Sequence, residues 1–284
     1  MKIKITADST CDLCPELIEK YNIDVLPLYI VIDGKAHKDG IEITRNDIFN
    51  YVDNEVGKGG KMPSSAAINV DDYVGYFTPL SKEYDAVIHI NISSDFSSCY
   101  QNACLAAKEF NNVYVVDSRN LSSGQGHVVV NAAIMAEKGL APEKIVEKLN
   151  DLTSKVEASF VIDRMDYLQK GGRCSSLLAL AAKVARIKPT IEVIDGKMTV
   201  GKKYMGSFTF ALKKYVEDRL KGRTDIVTDR IFITHPACTP EIVEMVREEI
   251  KKYADFDEII ETNAGCTVST HCGPFTLGIL FVRK

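Results

Sequence analysis

Residues 86–100 read AVIHINISSDFSSCY, a mostly apolar run that ends abruptly in serines. Short continuous apolar runs are typical of strands in a sheet that is covered on both faces. The run VYVVD at 113–117 repeats the pattern, MKIKITADST at 1–10 opens the chain with a similar strand, and Asp24–Ile32 is a β-branched run that turns at Asp33-Gly34. Strands that alternate with helices at this spacing predict an α/β fold with a mostly parallel, doubly wound sheet.

The second half of the chain has a different pattern. Residues Ile191–Val200 predict a hairpin around Asp195-Gly196, and helices and further strands follow as far as Thr276–Val282. A hairpin combined with helices indicates antiparallel pairing in an α+β domain. We therefore expect an α/β domain over residues 1–157 and an α+β domain over residues 158–284.

Composition narrows the classes of function. The 284 residues carry 35 Lys and Arg against 39 Asp and Glu, a formal net charge of −4. Nucleic-acid binding needs a clustered surplus of basic side chains, so the charge argues against it. We expect no signal peptide and no transmembrane segment, because no apolar run approaches 18 residues. The eight cysteines are scattered and are expected to be free thiols, which indicates a cytoplasmic protein.

Small hydroxyl side chains gather where the predicted strands end. Ser93, Ser94 and Ser97 all follow the run at 86–92. The carboxyl ends of parallel strands share one edge, where ligands bind. Hydroxyls at this edge can donate to an anion beside the free N–H groups of the next helix. Each serine could equally serve as a helix cap, so the residues alone leave both roles open.

Two basic side chains are candidates for holding an anion. Arg173 follows Gly171-Gly172, where the glycines permit close approach of the backbone and the guanidinium can chelate a carboxylate. His271 precedes Gly273-Pro274 and could donate to the same anion. A solvated surface Arg and a structural His are the alternatives.

Several enzyme signatures are missing from the sequence. There is no Gly-x-Ser-x-Gly elbow, and Gly57–Lys61 lacks the order of a P-loop. Gly124-Gln125-Gly126 lacks the third glycine of a dinucleotide motif, and Cys11-Asp12-Leu13-Cys14 has no second pair to complete a metal site. We expect neither a metal nor a cofactor.

Seven short segments, in order, resemble the DegV family over essentially the whole chain. No single segment is decisive, but their order is specific. The segments are Asp8-Ser9-Thr10-Cys11-Asp12, Ile92–Tyr100, Val116-Asp117-Ser118 with Ser123–Gly126, Gly171-Gly172-Arg173, Ile187-Lys188-Pro189, His235–Cys238 and Thr270–Pro274.

The resemblance implies a two-domain lipid carrier and not an enzyme. Family members bind a fatty acid with its carboxylate near the domain junction, and at least some present it to a separate ATP-dependent fatty-acid kinase that makes an acyl phosphate. On this basis the carboxylate of a long-chain fatty acid is expected at Ser65, Ser93, Ser94, Ser97, Arg173 and His271.

One family segment departs from the pattern. The family's T-S-Q-P-S appears here as Ser65–Asn69, so Ser65 keeps a hydroxyl while Ala66 does not. Head-group contacts are therefore expected to differ. Phe275 also replaces a glycine of the family pattern after Gly273-Pro274, where its ring could shape the pocket.

Two rival functions stay open at this point. A Ser/His acyl hydrolase would use Ser94 or Ser97 with His271. A regulatory protein that senses a small anion would need the same polar cluster without an apolar cavity behind it.

Overall fold

Two large sheets and one small sheet organise the chain. The computed structural model describes residues 1–174 and 187–284. In chain order the described strands are β1 Ile3–Asp8, β2 Asp24–Leu26, β3 Tyr29–Ile32, β4 Lys35–Lys38, β5 Ser64–Ala66, β6 Ala86–Asn91, β7 Val113–Asp117, β8 Val156–Ile162, β9 Ile187–Ile194, β10 Lys197–Met205, β11 Ile226–His235, β12 Glu258–Asn263 and β13 Thr276–Arg283.

The first large sheet confirms the predicted parallel arrangement. Its order is β2-β1-β6-β7, and each neighbouring pair runs parallel. All six residues of β6 are buried, which agrees with a strand covered on both faces. We call this sheet, its helices and the small sheet β4-β3-β5 the first lobe.

The second large sheet is mainly antiparallel, in the order β10-β9-β8-β13-β11-β12. Its one parallel pair among the described strands is β11 with β12. The predicted hairpin at Asp195-Gly196 joins β9 to β10. We call this sheet and its helices the second lobe. The predicted boundary at 157/158 lies inside β8, and the division into two domains there stays a prediction.

One strand prediction was wrong. The run Asp24–Ile32 is not a single strand, because β2 joins the parallel sheet while β3 pairs with β4 and β5. Pro27 lies between them, and proline has no N–H to donate to a ladder. The expected turn is present: Asp33 and Gly34 have φ angles of 49° and 77°, as a tight hairpin requires.

The helices flank and join these sheets. The helix expected from Ser97–Ser98 to Phe110 is shorter, and none of the described helices is long and apolar enough to cross a membrane. The described α-helices are α1 Pro15–Lys20, α2 Arg45–Glu55, α3 Val70–Glu83, α4 Cys99–Ala107, α5 Ser122–Glu137, α6 Pro142–Thr153, α7 Met165–Gly171, α8 Phe208–Leu220, α9 Pro240–Lys251 and α10 Cys266–Cys272.

Helix α5 lies between the two lobes. Every residue from Ser122 to Val130 is buried, and the helix contacts β1 and β6 on one side and β8 and β13 on the other. Its glycines permit this close packing. A Cβ on Gly124 would lie 3.1 Å from Ala158 Cβ, and a Cβ on Gly126 would lie 2.8 Å from the Cys11 carbonyl oxygen. The Gly124-Gln125-Gly126 segment is therefore explained by packing.

Gly126→Ala should destabilise the fold by about 1–3 kcal/mol, because the new methyl group has no space. Gly75→Ala is the matched control: Gly75 lies within α3, is exposed, and has open space at its Cβ position. This change should stabilise the protein by about 0.5–1 kcal/mol through helix propensity. Urea unfolding of both variants tests the pair, and equal effects would contradict the packing argument.

Candidate functional site

A cavity of about 160 Å³ opens between the two lobes. Its walls come from the loop after β6, the small sheet, the hairpin β9–β10 and helix α10. The surface that lines the cavity is mostly apolar. The lining residues are Leu28, Ser65, Ala67, Ile92, Phe96, Ser97, Ser98, Leu121, Arg173, Met198, Thr267, Val268, His271 and Cys272.

Ser65 and His271 meet across the junction of the lobes. Ser65 lies in β5, where it pairs with Ile30 of β3, and its side chain is half-buried. His271 lies in the last turn of α10 and is 9% exposed. Ser65 Oγ is 2.9 Å from His271 Nε2, which is hydrogen-bonding distance. The two residues therefore form the polar end of the cavity.

The imidazole of His271 is neutral at physiological pH. Burial, assisted by the nearby Arg173 guanidinium, lowers the pKa of His271 to about 4. Its Nδ1 is buried and has no hydrogen-bond partner among the described residues. The ring packs so closely on Gly171 that a side chain at this position would collide with Nδ1. This contact explains the first glycine of the Gly171-Gly172-Arg173 segment.

Arg173 and Ser97 also line the cavity. Arg173 is exposed, and its Nη1 donates to the Gly171 carbonyl oxygen at 2.9 Å. Ser97 is half-buried, and its hydroxyl donates to Cys99 Sγ at 3.1 Å. Together with Ser65 and His271, these two residues place four of the six expected carboxylate ligands around one cavity.

Ser93 and Ser94 lie outside this lining, so the structure does not group them with the other four. Ser93 is fully buried, and its hydroxyl donates to the Gly196 carbonyl oxygen at 2.8 Å. The backbone N–H of Ser94 donates to Asp117 Oδ1 at 3.2 Å. Ser93 thus contacts the tip of the β9–β10 hairpin. A role for either serine as a carboxylate ligand stays a prediction.

The sequence patterns missed several lining residues. Three of them, Thr267, Val268 and Cys272, share one face of α10 with the predicted His271, at the one-, three- and four-residue spacing of a helix. That spacing could have identified them, but no helix was predicted for this segment. Phe275, expected to shape the pocket, is 45% exposed and does not line it.

A second, smaller space lies next to the cavity. It holds about 20 Å³ and shares Leu121, Val268 and Cys272 with the larger cavity. Phe160 and Leu280 of the second sheet form part of its wall. The apolar interior therefore extends from the polar end toward the second sheet.

Other candidate chemistry is not supported. Cys11 and Cys14 are free thiols, and burial raises the pKa of both. His235 Nδ1 accepts the Cys238 backbone N–H at 3.1 Å, so this pair stabilises a turn. Across the part of the chain that is described, no three His, Cys, Asp or Glu side chains are grouped so as to hold a metal ion.

Comparison with known proteins gives a match over the whole chain. The family model described as "Uncharacterised protein, DegV family" matches residues 2–284. A DegV domain-containing protein of Caldanaerobacter subterraneus is 30% identical over 285 residues, which cover 100% of this chain and 99% of the relative. A fatty acid-binding protein of Thermotoga maritima is 31% identical over 284 residues, with coverage of 98% and 96%. The structure of a fatty-acid-binding DegV family protein from Thermus thermophilus aligns with a TM-score of 0.88, at 26% identity and with 100% of both chains covered.

We expect the imidazole of His271 to stay neutral from pH 7 to pH 5, because burial lowers its pKa to about 4. Arg173→Ala should raise this pKa, since a nearby positive charge is removed, but not to the ordinary value of 6.5, since burial is the larger cause. Nitrogen-detected NMR titration of the ring gives both values. A midpoint at or above pH 6.5 in the unaltered protein would contradict the burial argument.

The low pKa of His271 also affects the free energy of unfolding. An unfolded His binds a proton near pH 6.5, whereas folded His271 does so only near pH 4. The neutral ring therefore contributes stability that is present above pH 6.5 and is lost as the pH falls toward 4. When the pH falls from 7 to 5, the free energy of unfolding should therefore decrease less in His271→Gln than in the unaltered protein.

Proposed function

The chain belongs to the DegV family, and we propose that it binds a long-chain fatty acid in the cavity between its lobes. A relative of 31% identity is a fatty acid-binding protein, and a structural neighbour of 26% identity binds fatty acid. The observation that carries the proposal is the polar end formed by Ser65 and His271, with apolar walls behind it. This is the arrangement that an amphiphile with one small polar head requires.

The carboxylate would lie at Ser65, Ser97, Arg173 and His271. A buried carboxylate must be paired with donors, because an unpaired buried charge is very costly. The Ser65 hydroxyl and the His271 ring nitrogen can donate at the cavity end, while exposed Arg173 supplies a positive charge at the surface. A bound carboxylate near the ring would also favour the protonated imidazole, because an opposite charge and a hydrogen bond both stabilise the charged form.

The tail would enter the apolar part of the cavity. Burial of about 14 methylene groups at ~0.8 kcal/mol each gives on the order of 11 kcal/mol. Association costs roughly 4–15 kcal/mol, so tail burial can support useful affinity if the head group is satisfied. Leu28, Ile92, Phe96, Leu121 and Val268 provide the apolar surface.

The tail would also have to displace side chains. The cavity of about 160 Å³ is smaller than typical ligand pockets, which hold roughly 300–1,000 Å³. Met198 is suited to move, because its unbranched side chain adapts to irregular spaces. It belongs to the β9–β10 hairpin, whose tip contacts Ser93.

We further propose that the protein is a carrier that presents the bound acid to a separate fatty-acid kinase. Family resemblance supports this step, and so does the position of the polar end. Arg173 and Ser98 are exposed, so a bound carboxylate would lie near the surface, within reach of another protein. Acyl phosphate formed from carrier-bound acid, a kinase and ATP would be measured by trapping with hydroxylamine.

Organic extraction of the purified protein should release long-chain fatty acid, because the cavity would retain it during purification. Mass spectrometry of the extract identifies the chain. Release of a short anion alone would favour the sensor hypothesis. If the extract is empty and the protein does not bind added palmitate or oleate, the proposed function is wrong.

His271→Ala should weaken palmitate binding by roughly 10- to 150-fold, the cost of one hydrogen bond to a charged group. Arg173→Ala should weaken it by about fivefold or less, because an exposed ion pair contributes about 0–1 kcal/mol. Displacement of a fluorescent fatty acid measures both. His37→Ala, on strand β4 and outside the cavity lining, is the control and should bind normally. A larger loss for Arg173→Ala than for His271→Ala would contradict this assignment.

A further inference from the structure

Helix α10 provides Thr267, Val268, His271 and Cys272 to the cavity, yet it has only seven residues. Helices this short are not stable alone, so their placement depends on tertiary contacts. The residues Cys-Thr-Val-Ser-Thr at its start also favour helix weakly. Something outside the helix must therefore hold it in position.

Two buried acidic side chains of the first lobe, Asp39 and Asp12, bind the start of this helix. Asp39 accepts the Cys266 N–H at 2.9 Å, the Thr267 N–H at 3.0 Å and the Thr267 hydroxyl at 2.7 Å. Asp12 accepts the Gly265 N–H at 2.7 Å. These backbone groups have no partner within the helix, so the two side chains accept from N–H groups that would otherwise be unpaired.

Each carboxylate is in turn fixed within the first lobe. The Ser9 hydroxyl donates to Asp39 at 3.0 Å and also accepts the Leu28 N–H at 3.1 Å. Ser122 Oγ is 2.5 Å from Asp12 Oδ2. Gly265 is also closely packed, since a Cβ there would lie 3.1 Å from Asp12 Oδ1. The Ser9–Asp12 part of the opening segment thus contacts the start of α10, although it does not line the cavity.

We infer that Asp39, with Asp12, is a positioning residue for fatty-acid recognition. Asp39 holds the start of α10 against the first lobe. His271 lies in the last turn of the same helix, so this contact also sets the distance from His271 to Ser65 of β5. The inference rests on the proposed function, because it assigns Asp39 an effect on the head group of the bound acid. It predicts a larger effect on the carboxylate than on the tail, because a hydrogen bond depends on direction, whereas Val268 is one of several apolar contacts to the tail.

Asp39→Asn tests this inference. An amide has one acceptor oxygen and cannot accept all the donors that surround Asp39. Palmitate affinity should fall about tenfold, while affinity for methyl palmitate, which has no charged head, should change less than twofold. In the His271→Ala background, Asp39→Asn should add less than a twofold loss, because its effect acts through His271.

Ser207→Ala is the matched control. Ser207 caps α8 by accepting the Phe210 N–H and is not among the residues that line the cavity, so its loss should lower the melting temperature and leave both affinities unchanged. If Asp39→Asn does not fold, Ser9→Ala removes one bond to Asp39 and should give the same selective loss at smaller size.

The outcomes distinguish a failure of this inference from a failure of the proposed function. Equal losses for palmitate and methyl palmitate, or losses that multiply independently with His271→Ala, would make Asp39 a purely structural residue and overturn the inference. If the unaltered protein binds neither probe, the proposed function itself fails.

Discussion

Buried hydrogen bonds join the two lobes, and in each of them the donor and the acceptor belong to different lobes. Asp39 and Asp12 bind backbone N–H groups at the start of α10, and Ser93 binds the carbonyl oxygen of Gly196. A small displacement of one lobe would leave these groups buried without partners, at a cost of several kcal/mol. The lobes therefore have one well-defined relative position, and the shape of the cavity between them follows from it.

This constraint changes the interpretation of the serines at the strand end. Ser93 and Ser97 come from one loop, yet one bonds the hairpin tip and the other faces the cavity. Arg119 supports the same hairpin by contacts to the Asp195 carbonyl oxygen and to Asp95 at 3.1 Å. The loop after β6 forms part of the cavity wall. Through Ser93 it also contacts the tip of the hairpin, and the hairpin provides Met198 to the cavity lining.

The sequence patterns were sufficient where local properties decide the structure. The buried run at 86–91 became a central parallel strand, and Asp195-Gly196 became a hairpin turn. They failed where distant contacts decide it. The segment Asp24–Ile32 is divided between two sheets, and α10 forms from residues of weak helix propensity because the first lobe binds its start. At the site, residue types identified Ser97, Arg173 and His271, and the family resemblance added Ser65. No pattern reveals in which direction the hydroxyl of Ser93 points.

The polar end combines a buried neutral imidazole with an exposed cation. Water and salt screen a charge at the surface, so Arg173 would attract the carboxylate without binding it tightly. His271 would bind it more strongly, but protonation of its buried ring has a cost that the free protein expresses as a low pKa. On the proposed function, the tail supplies much of the affinity, His271 and Ser65 hold the head group, and Arg173 attracts it. A carrier is served by this distribution, because the tail stays buried while the carboxylate lies beside exposed Arg173, where a second protein can reach it.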